Sequence, residues 1–368
     1  MHYQIDKESQ LALLMLADLL SRSGYKEFYA SFNPLTTNTQ KWVLQRKNVP
    51  DALGTLIDLF LLGKPVYFDS AKFILGELVA PLCRMGVLAC LSNEKYISTS
   101  DLILVPVMGL WLFCQKPQPN PTLYFGEDSI SLLLRLQPKR DGRCLDLCAG
   151  PGIQALYCSL FAREVIAVEL NPVAVALAKV NVAINDCSQK IRVYCGSLYE
   201  PLDMQSFDTI VANPPLLPFP ENVPYPFVGH GGKDGLKITR KILEGLPQFL
   251  ASSGTAQLIG TTLSDGIQPL CIDLLKAWSY TSMMDVLMTI TAHRILSPGS
   301  FFFNGLVNTA VQSSINADEE AIIKAYQKSL ANQGATHLCA YFLHITRGSG
   351  AFFLQDLALE DDVGLWYI

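Results

Sequence analysis

The fold is decided by the stretch CLDLCAGPGIQALYCSLFAREVIAVEL, residues 144–170. Its two ends are short apolar runs typical of strands, and between them a loop with Gly150 and Gly152 leads into a helix-like segment. This order of strand, glycine loop, helix and strand predicts a βαβ unit with parallel strands. In such a unit, small loop residues let a ligand approach the backbone, and the helix points its N-terminus at that ligand.

Two acids in this stretch indicate which ligand binds. Asp146 lies at the entry of the loop, where a carboxylate would face an ammonium group better than a phosphate. Glu169 ends the second strand, where a carboxylate can accept hydrogen bonds from both hydroxyl groups of a ribose. The loop also lacks the third glycine of GxGxxG, because Gln154 and Ala155 stand there. These features favour S-adenosylmethionine over NAD, and leave an NAD-dependent dehydrogenase or a non-enzymatic scaffold as alternatives.

The alternation of strands and helices continues along the chain. Further strands are predicted at 191–196, 209–214, 256–262, 285–293 and 336–346, and helices at 172–184, 234–250, 267–278 and 318–331. Residues 350–357 follow a Gly-Ser-Gly turn and are predicted to pair back on 336–346 as a hairpin. We therefore predict an α/β fold with a Rossmann-like, seven-stranded, mostly parallel sheet over residues 122–368.

Residues 1–115 have a different pattern. Helices are predicted at 8–24, 51–63 and 69–86, with Asp51 as an N-cap and Pro81 dividing the third helix, and strands at 87–92, 96–107 and 110–115. This pattern predicts a mainly helical, winged-helix-like domain for substrate recognition, joined to the second domain by the proline-rich linker 116–121. Acidic and basic residues balance in this region, which favours a substrate-covering role over DNA binding.

The composition of the chain disfavours several classes of binding partner. The 368 residues carry a net charge of -5 without a basic run, which disfavours a nucleic-acid partner. The ten cysteines form no CxxC pair, so no metal site is predicted. No apolar run is long enough to span a membrane, and the N-terminus is polar, so we expect a cytoplasmic protein without a membrane partner.

A second informative stretch is FDTIVANPPLLPFP, residues 207–220, in which a strand ends on an amide and two prolines. Methyl transfer from a sulfonium is an in-line displacement, so a nitrogen nucleophile must aim its lone pair at the methyl carbon. The side-chain oxygen of Asn213 and the backbone carbonyl of Pro214 are suited to hold the hydrogens of that nitrogen. The prolines, Pro214 and Pro215, stiffen the loop that carries these acceptors.

Residues 124–264 resemble the class I S-adenosylmethionine-dependent methyltransferases in DLCAGPG (146–152), NPPL (213–216) and GGKDGL (231–236). NPPL is similar to the (N/D)PP(Y/F/W/L) motif of enzymes that methylate nitrogen, and the glycine-rich segment is similar to that of the HemK/PrmC family. The resemblance implies that the glycine loop surrounds the amino-acid part and ribose of S-adenosylmethionine. It also implies that Glu169 holds the ribose, and that the stretch from 196 to 202, GSLYEPL, lies at the adenine.

The candidate residues follow from the motifs and the resemblance. The cofactor candidates are Asp146, Ala149, Gly150, Gly152, Glu169, Leu170, Ser197, Leu198 and Asn213, with Tyr199 as a further packing partner of the purine. The catalytic candidates are Asn213, Pro214, Pro215 and Leu216. The substrate candidates are Glu127, Phe219, Tyr225, Phe227 and His230, with Ser129, His293 and residues 301–305 as further possible contacts.

The methyl acceptor stays open at this point. The resemblance implies a glutamine side chain of a protein, whereas the acidic balance and the unusual N-terminal region favour a small amino compound such as an amino acid or a guanidine. A nucleic-acid base with an exocyclic amine is the third alternative, and it needs a positive surface that the composition does not indicate.

Overall fold

The computed structural model describes residues 5–33, 39–91, 95–118, 121–225, 227–314 and 317–358. The described α-helices are α1 (Lys7–Arg22), α2 (Tyr25–Ala30), α3 (Thr39–Gln45), α4 (Asp51–Leu56), α5 (Phe68–Leu75), α6 (Val79–Met85), α7 (Glu127–Arg135), α8 (Ile153–Ser159), α9 (Pro172–Ile184), α10 (Lys237–Phe249), α11 (Ile272–Ser282), α12 (Phe301–Gln312) and α13 (Glu319–Gln333). The described strands are β1 (Val66–Tyr67), β2 (Ala89–Leu91), β3 (Tyr96–Ser98), β4 (Leu102–Val107), β5 (Leu110–Gln115), β6 (Arg143–Leu147), β7 (Glu164–Glu169), β8 (Ile191–Cys195), β9 (Phe207–Ala212), β10 (Leu250–Ser264), β11 (Met284–Ile295), β12 (His337–Arg347) and β13 (Phe352–Asp356).

The main sheet has the order β13-β11-β12-β10-β9-β6-β7-β8. The five strands from β10 to the β8 edge are parallel, while β12 runs antiparallel to both β10 and β11. The α/β, Rossmann-like prediction is confirmed. The sheet has eight strands, which are the seven of the predicted core and β13 at the edge, the strand predicted over 350–357.

The position of β13 corrects the hairpin prediction. One side of β12 is paired with β10 and the other with β11, so β12 offers no free edge after the Gly-Ser-Gly turn. The chain therefore passes to the outer side of β11, where β13 pairs in parallel, with Val286 opposite Phe352.

Two helix details in the N-terminal region also differ from the predictions. Pro50 takes the N-cap position of α4, and its carbonyl accepts from the Gly54 amide at 2.8 Å, so Asp51 falls inside the first turn. The third predicted helix breaks at Gly76, whose φ of 56° no continuing helix adopts, rather than at Pro81. Pro81 lies in the first turn of α6, where its missing amide hydrogen costs no helical bond.

A small sheet of order β1-β3-β2 completes the N-terminal region, and α5 and α6 lie between β1 and β2 in the chain. The winged-helix-like character of this region stays a prediction. The division into domains 1–115 and 122–368 stays a prediction, and residues 119 and 120 of the proposed linker lie outside the described residues.

Asn181 of α9 and Asn185, the C-cap residue of that helix, bond the hairpin β4–β5 to the main sheet region. The Asn185 side chain accepts from the Trp111 amide at 2.8 Å and donates to the Trp111 carbonyl at 2.7 Å. Asn181 makes the same pair of bonds with Phe113 and also donates to the Pro151 carbonyl at 2.9 Å. The N-terminal region is thereby connected directly to the glycine loop, and one hydrophobic cluster runs through both regions.

In the part of the chain that the structure describes, no helix combines the length and apolar character that crossing a membrane requires.

Candidate active site

A cavity of about 270 Å³ lies at the carboxyl ends of β6, β7, β8 and β9. This is the edge of an open parallel sheet at which ligands bind. The segments that follow these four strands line the cavity. They are the glycine loop after β6, the region of Glu169 after β7, the region of Ser197 after β8, and Asn213 after β9. The predicted residues that line the cavity are Ala149, Gly150, Glu169, Leu170, Ser197, Leu198, Asn213 and Pro215, together with Ser129.

The end of the glycine loop packs closely against α9. Gly152 starts α8 with a φ of 91°, and a Cβ there would lie 3.3 Å from the Cβ of Ala178 on α9. Gly152 therefore serves close packing between two helices and does not line the cavity.

Glu169 is held rigidly at the cavity wall. Its Oε2 accepts from the Gly150 amide at 2.8 Å, and its Oε1 accepts from the Asn171 amide at 2.7 Å. Each carboxylate oxygen keeps acceptor capacity beyond these bonds, because a carboxylate has about four lone-pair sites. The carboxylate is thus oriented before a ligand binds.

Asp146 does not reach the cavity, in contrast to its predicted contact with an ammonium group. Its side chain is 1% exposed, and its Oδ2 accepts from the Ala155 amide at 2.9 Å in the first turn of α8. Burial raises the pKa of this carboxyl well above its ordinary value. Asp146 therefore holds the first turn of α8, which follows the glycine loop, by a hydrogen bond.

Asn213 follows the last residue of β9, and the two polar atoms of its side-chain amide have different surroundings. Its Nδ2 donates to Oδ2 of Asp128 at 2.9 Å and to Oγ of Ser129 at 3.2 Å. Its Oδ1 is buried and has no hydrogen-bond partner among the described residues. Burial raises the pKa of the Asp128 carboxyl, against the lowering effect of the hydrogen bond from Asn213. An unpaired buried acceptor of this kind is costly unless a ligand satisfies it.

Leu216, the last residue of NPPL, belongs to the core. It is 7% exposed, and its carbonyl accepts from Oγ1 of Thr261 at 2.5 Å. Pro214 is buried and also lies outside the cavity lining. The structure thus brings Asn213 and Pro215 of the motif to the cavity, but not its other two members.

The glycine-rich segment supports the motif by direct backbone contact. The amide of Gly231 donates to the Leu217 carbonyl at 2.9 Å, and the Lys237 amide donates to the Gly231 carbonyl at 2.9 Å. Gly235, with a φ of 83°, has room for no side chain: a Cβ would lie 2.6 Å from the Thr261 carbonyl oxygen. The spacing of these glycines therefore follows from the close approach of two backbone segments.

The predicted substrate residues lie away from the cavity. Phe219 is fully buried and stacks on Tyr225, with ring centroids 3.4 Å apart. His230 accepts from the Gly232 amide through its Nδ1 at 3.2 Å, and Glu127 is exposed on the first turn of α7. None of these four side chains lines the cavity, and the side chain of Phe227 lies outside the described residues.

The other possible contacts are also placed elsewhere. Tyr199 stacks on Phe249 of α10 at 4.6 Å between centroids, instead of facing the adenine position. His293 bonds to Asp356 through Nε2 at 2.7 Å and to Cys339 through Nδ1 at 2.8 Å, which joins β11, β13 and β12. Within 301–305, Phe303 packs in the core.

Sequence reasoning missed three residues at the start of α10. Lys237, Ile238 and Lys241 line the cavity on one face of this helix. Lys237 and Lys241 are four residues apart, and this spacing is the available signal, since positions i and i+4 share a helical face. Neither lysine makes an ion pair among the described residues.

Comparison with known proteins identifies the class to which this fold and site belong. Residues 127–264 match the family model of the methyltransferase small domain. A Methanocaldococcus jannaschii protein provisionally named protein N5-glutamine methyltransferase is 33% identical over 155 residues, which are 40% of this chain and 77% of that protein. The release factor glutamine methyltransferase of Geobacter sulfurreducens is 37% identical over 121 residues, 30% of this chain and 42% of that protein.

Two further similarities are more distant. The ribosomal protein uL3 glutamine methyltransferase of Bordetella pertussis is 28% identical over 169 residues, 43% of this chain and 57% of that protein. The solved structure of the M. jannaschii tRNA m1G37 methyltransferase is 13% identical with a TM-score of 0.39, and the match covers 67% of this chain and 55% of that one. The matches thus span about half the length of these two proteins.

The chain belongs to the HemK/PrmC-like family of class I S-adenosylmethionine-dependent N-methyltransferases. Its cofactor is S-adenosylmethionine, and the dehydrogenase and scaffold alternatives do not apply.

Proposed function

We propose that the chain transfers a methyl group from S-adenosylmethionine to the side-chain amide nitrogen of a glutamine in a protein. The observation that carries this proposal is the buried, unpartnered Oδ1 of Asn213, a residue that lines the cavity. It offers an acceptor for one N–H of an incoming amide. The names of the relatives, which are glutamine methyltransferases, support the same acceptor.

The residues that line the cavity fit S-adenosylmethionine, and different residues would bind the cofactor and the methyl acceptor. Glu169, already oriented by two backbone amides, would accept the ribose hydroxyls, and Ser197 and Leu198 would border the adenine. S-adenosylmethionine supplies the electrophilic methyl group. Asn213 Oδ1 would hold the acceptor nitrogen and favour the positive charge that develops on it.

The charge of the cavity favours a neutral acceptor. Glu169 is the one acid among the described residues that line it, and two lysines, Lys237 and Lys241, line it as well. An ammonium or guanidinium group in this cavity would meet two lysines, and the one carboxylate there is the group proposed to hold the ribose. A neutral amide avoids that repulsion, so glutamine is preferred here over the small amino compound that the composition suggested.

The acceptor is testable by mass spectrometry and radiolabel transfer. The protein is incubated with methyl-labelled S-adenosylmethionine and a library of glutamine-containing peptides, with glutamine-to-glutamate copies as matched controls. We expect label only in peptides that keep the glutamine, and a 14 Da increase on that residue. Label on free amino acids, guanidines or RNA, with none on peptides, would contradict the proposal and identify the acceptor class instead.

Glu169→Ala is expected to weaken S-adenosylmethionine binding by about 10- to 100-fold, because hydrogen bonds to a charged group contribute about 1.5–3 kcal/mol. Calorimetric titration measures the change. Glu200→Ala is the matched control, since Glu200 is an exposed acid in the loop after β8 that does not line the cavity. Equal affinity of the two variants would show that Glu169 does not hold the ribose.

A further inference from the structure

Two buried polar residues at the start of α7 hold the amide of Asn213. Asp128 is 7% exposed and Ser129 is 4% exposed, and both accept hydrogen bonds from Nδ2 of Asn213. They lie 85 and 84 residues earlier in the chain. Ser129 lines the cavity, whereas Asp128 lies behind Asn213 and does not.

We propose that Asp128 is a positioning residue for methyl transfer, which locks the Asn213 amide with its oxygen toward the acceptor. The inference rests on the role proposed above for Asn213. It concerns a residue that touches neither the cofactor cavity nor the acceptor.

A terminal amide is a nearly two-fold rotor, so a half-turn exchanges its oxygen and its nitrogen at little intrinsic cost. In the turned state, Asn213 would place its oxygen against the Asp128 carboxylate, with two acceptors in contact. Its NH₂ group would then face the N–H groups of the acceptor, with two donors in contact. The bonds to Asp128 and Ser129 use both Nδ2 hydrogens and therefore exclude this state.

Asp128 is the stronger of the two partners. A hydrogen bond to a carboxylate is roughly twice as strong as one between neutral groups. It also polarises the amide, which leaves more negative charge on Oδ1 and makes that oxygen a better acceptor. A serine hydroxyl provides the second acceptor but can rotate away.

Nuclear magnetic resonance tests the lock without any acceptor. In full-length protein labelled with ¹⁵N-asparagine, the Asn213 side-chain signals are those missing from Asn213→Ala. We expect their hydrogens to exchange with water at least about tenfold more slowly than those of exposed Asn308. Asp128→Ala should raise the exchange rate of the Asn213 side-chain hydrogens to that of exposed Asn308. Glu127→Ala, which changes an exposed acid in the same turn, should leave the rate unchanged.

A double-mutant cycle, measured with a glutamine peptide that the protein methylates, tests the consequence for catalysis. We expect Asp128→Ala to lower kcat about 10- to 100-fold with S-adenosylmethionine affinity within about threefold, and Asp128→Asn, which keeps an acceptor oxygen, to recover most of the loss. Adding Asp128→Ala to Asn213→Ala should cost nothing further. Fast exchange of the amide in the native protein, or a full additional loss in the double variant, would overturn the proposal. A failed glutamine assay would count only against the acceptor, because the exchange measurement does not depend on it.

Discussion

Asn213→Ala is expected to lower kcat by about 100- to 1,000-fold while the affinity for S-adenosylmethionine stays within about threefold. The expected size is that of removing one preorganised group that stabilises charge in the transition state. The affinity is expected to persist because the glycine loop, Glu169 and the Ser197 region line the cavity independently of this side chain. Single-turnover methyl transfer and calorimetric titration measure the two quantities.

The matched control is Asn308→Ala, the same chemical change on the exposed face of α12, which should alter neither quantity. Equal losses of turnover and cofactor affinity in Asn213→Ala would show instead that Asn213 is a cofactor-binding residue.

Gly235→Ala is expected to lower the free energy of unfolding by about 3 kcal/mol, the upper part of the range for single substitutions. A Cβ at this position would lie 2.6 Å from the Thr261 carbonyl oxygen and 2.7 Å from that of Leu216. The φ of 83° is also costly for alanine. Urea unfolding curves measure the change, and the displaced loop should lower methyl transfer as well.

Gly305→Ala is the control for this substitution. Gly305 lies inside α12, and a Cβ there meets no atom within 4 Å, so alanine should raise stability by up to about 1 kcal/mol. If Gly235→Ala were as stable as the native protein, the close approach between the glycine-rich segment and the NPPL motif could not be the reason for these glycines.

The order of elements could be predicted from the sequence because each element has a strong local signal. Helix α9 begins at Pro172 and ends at Ile184, as its periodicity predicts, since Asn171 caps it and proline suits its first turn. The path of β13 could not be predicted. It depends on both edges of β12 being occupied, which is a property of the assembled sheet.

The residues of the site were predictable where a strand end alone determines their place, as for Glu169 and Asn213. Asp146 lies one residue before the end of its strand, and the side that it faces is set by the packing of α8. Phe219 is an aromatic next to the motif, yet it stacks on Tyr225 in the core. The contact of Asp128 with Asn213 has no local signal, because 85 residues separate the two in the chain.

We propose that the side-chain oxygen of Asn213 holds the acceptor nitrogen during methyl transfer. The most direct test is a crystal structure of the protein with S-adenosylhomocysteine and a glutamine peptide that it methylates. We expect a distance of about 3 Å between Oδ1 of Asn213 and Nε2 of the glutamine, with Nδ2 still bonded to Asp128. A glutamine nitrogen more than about 4 Å from Oδ1, or an Asn213 amide that turns its NH₂ group to the peptide, would contradict it.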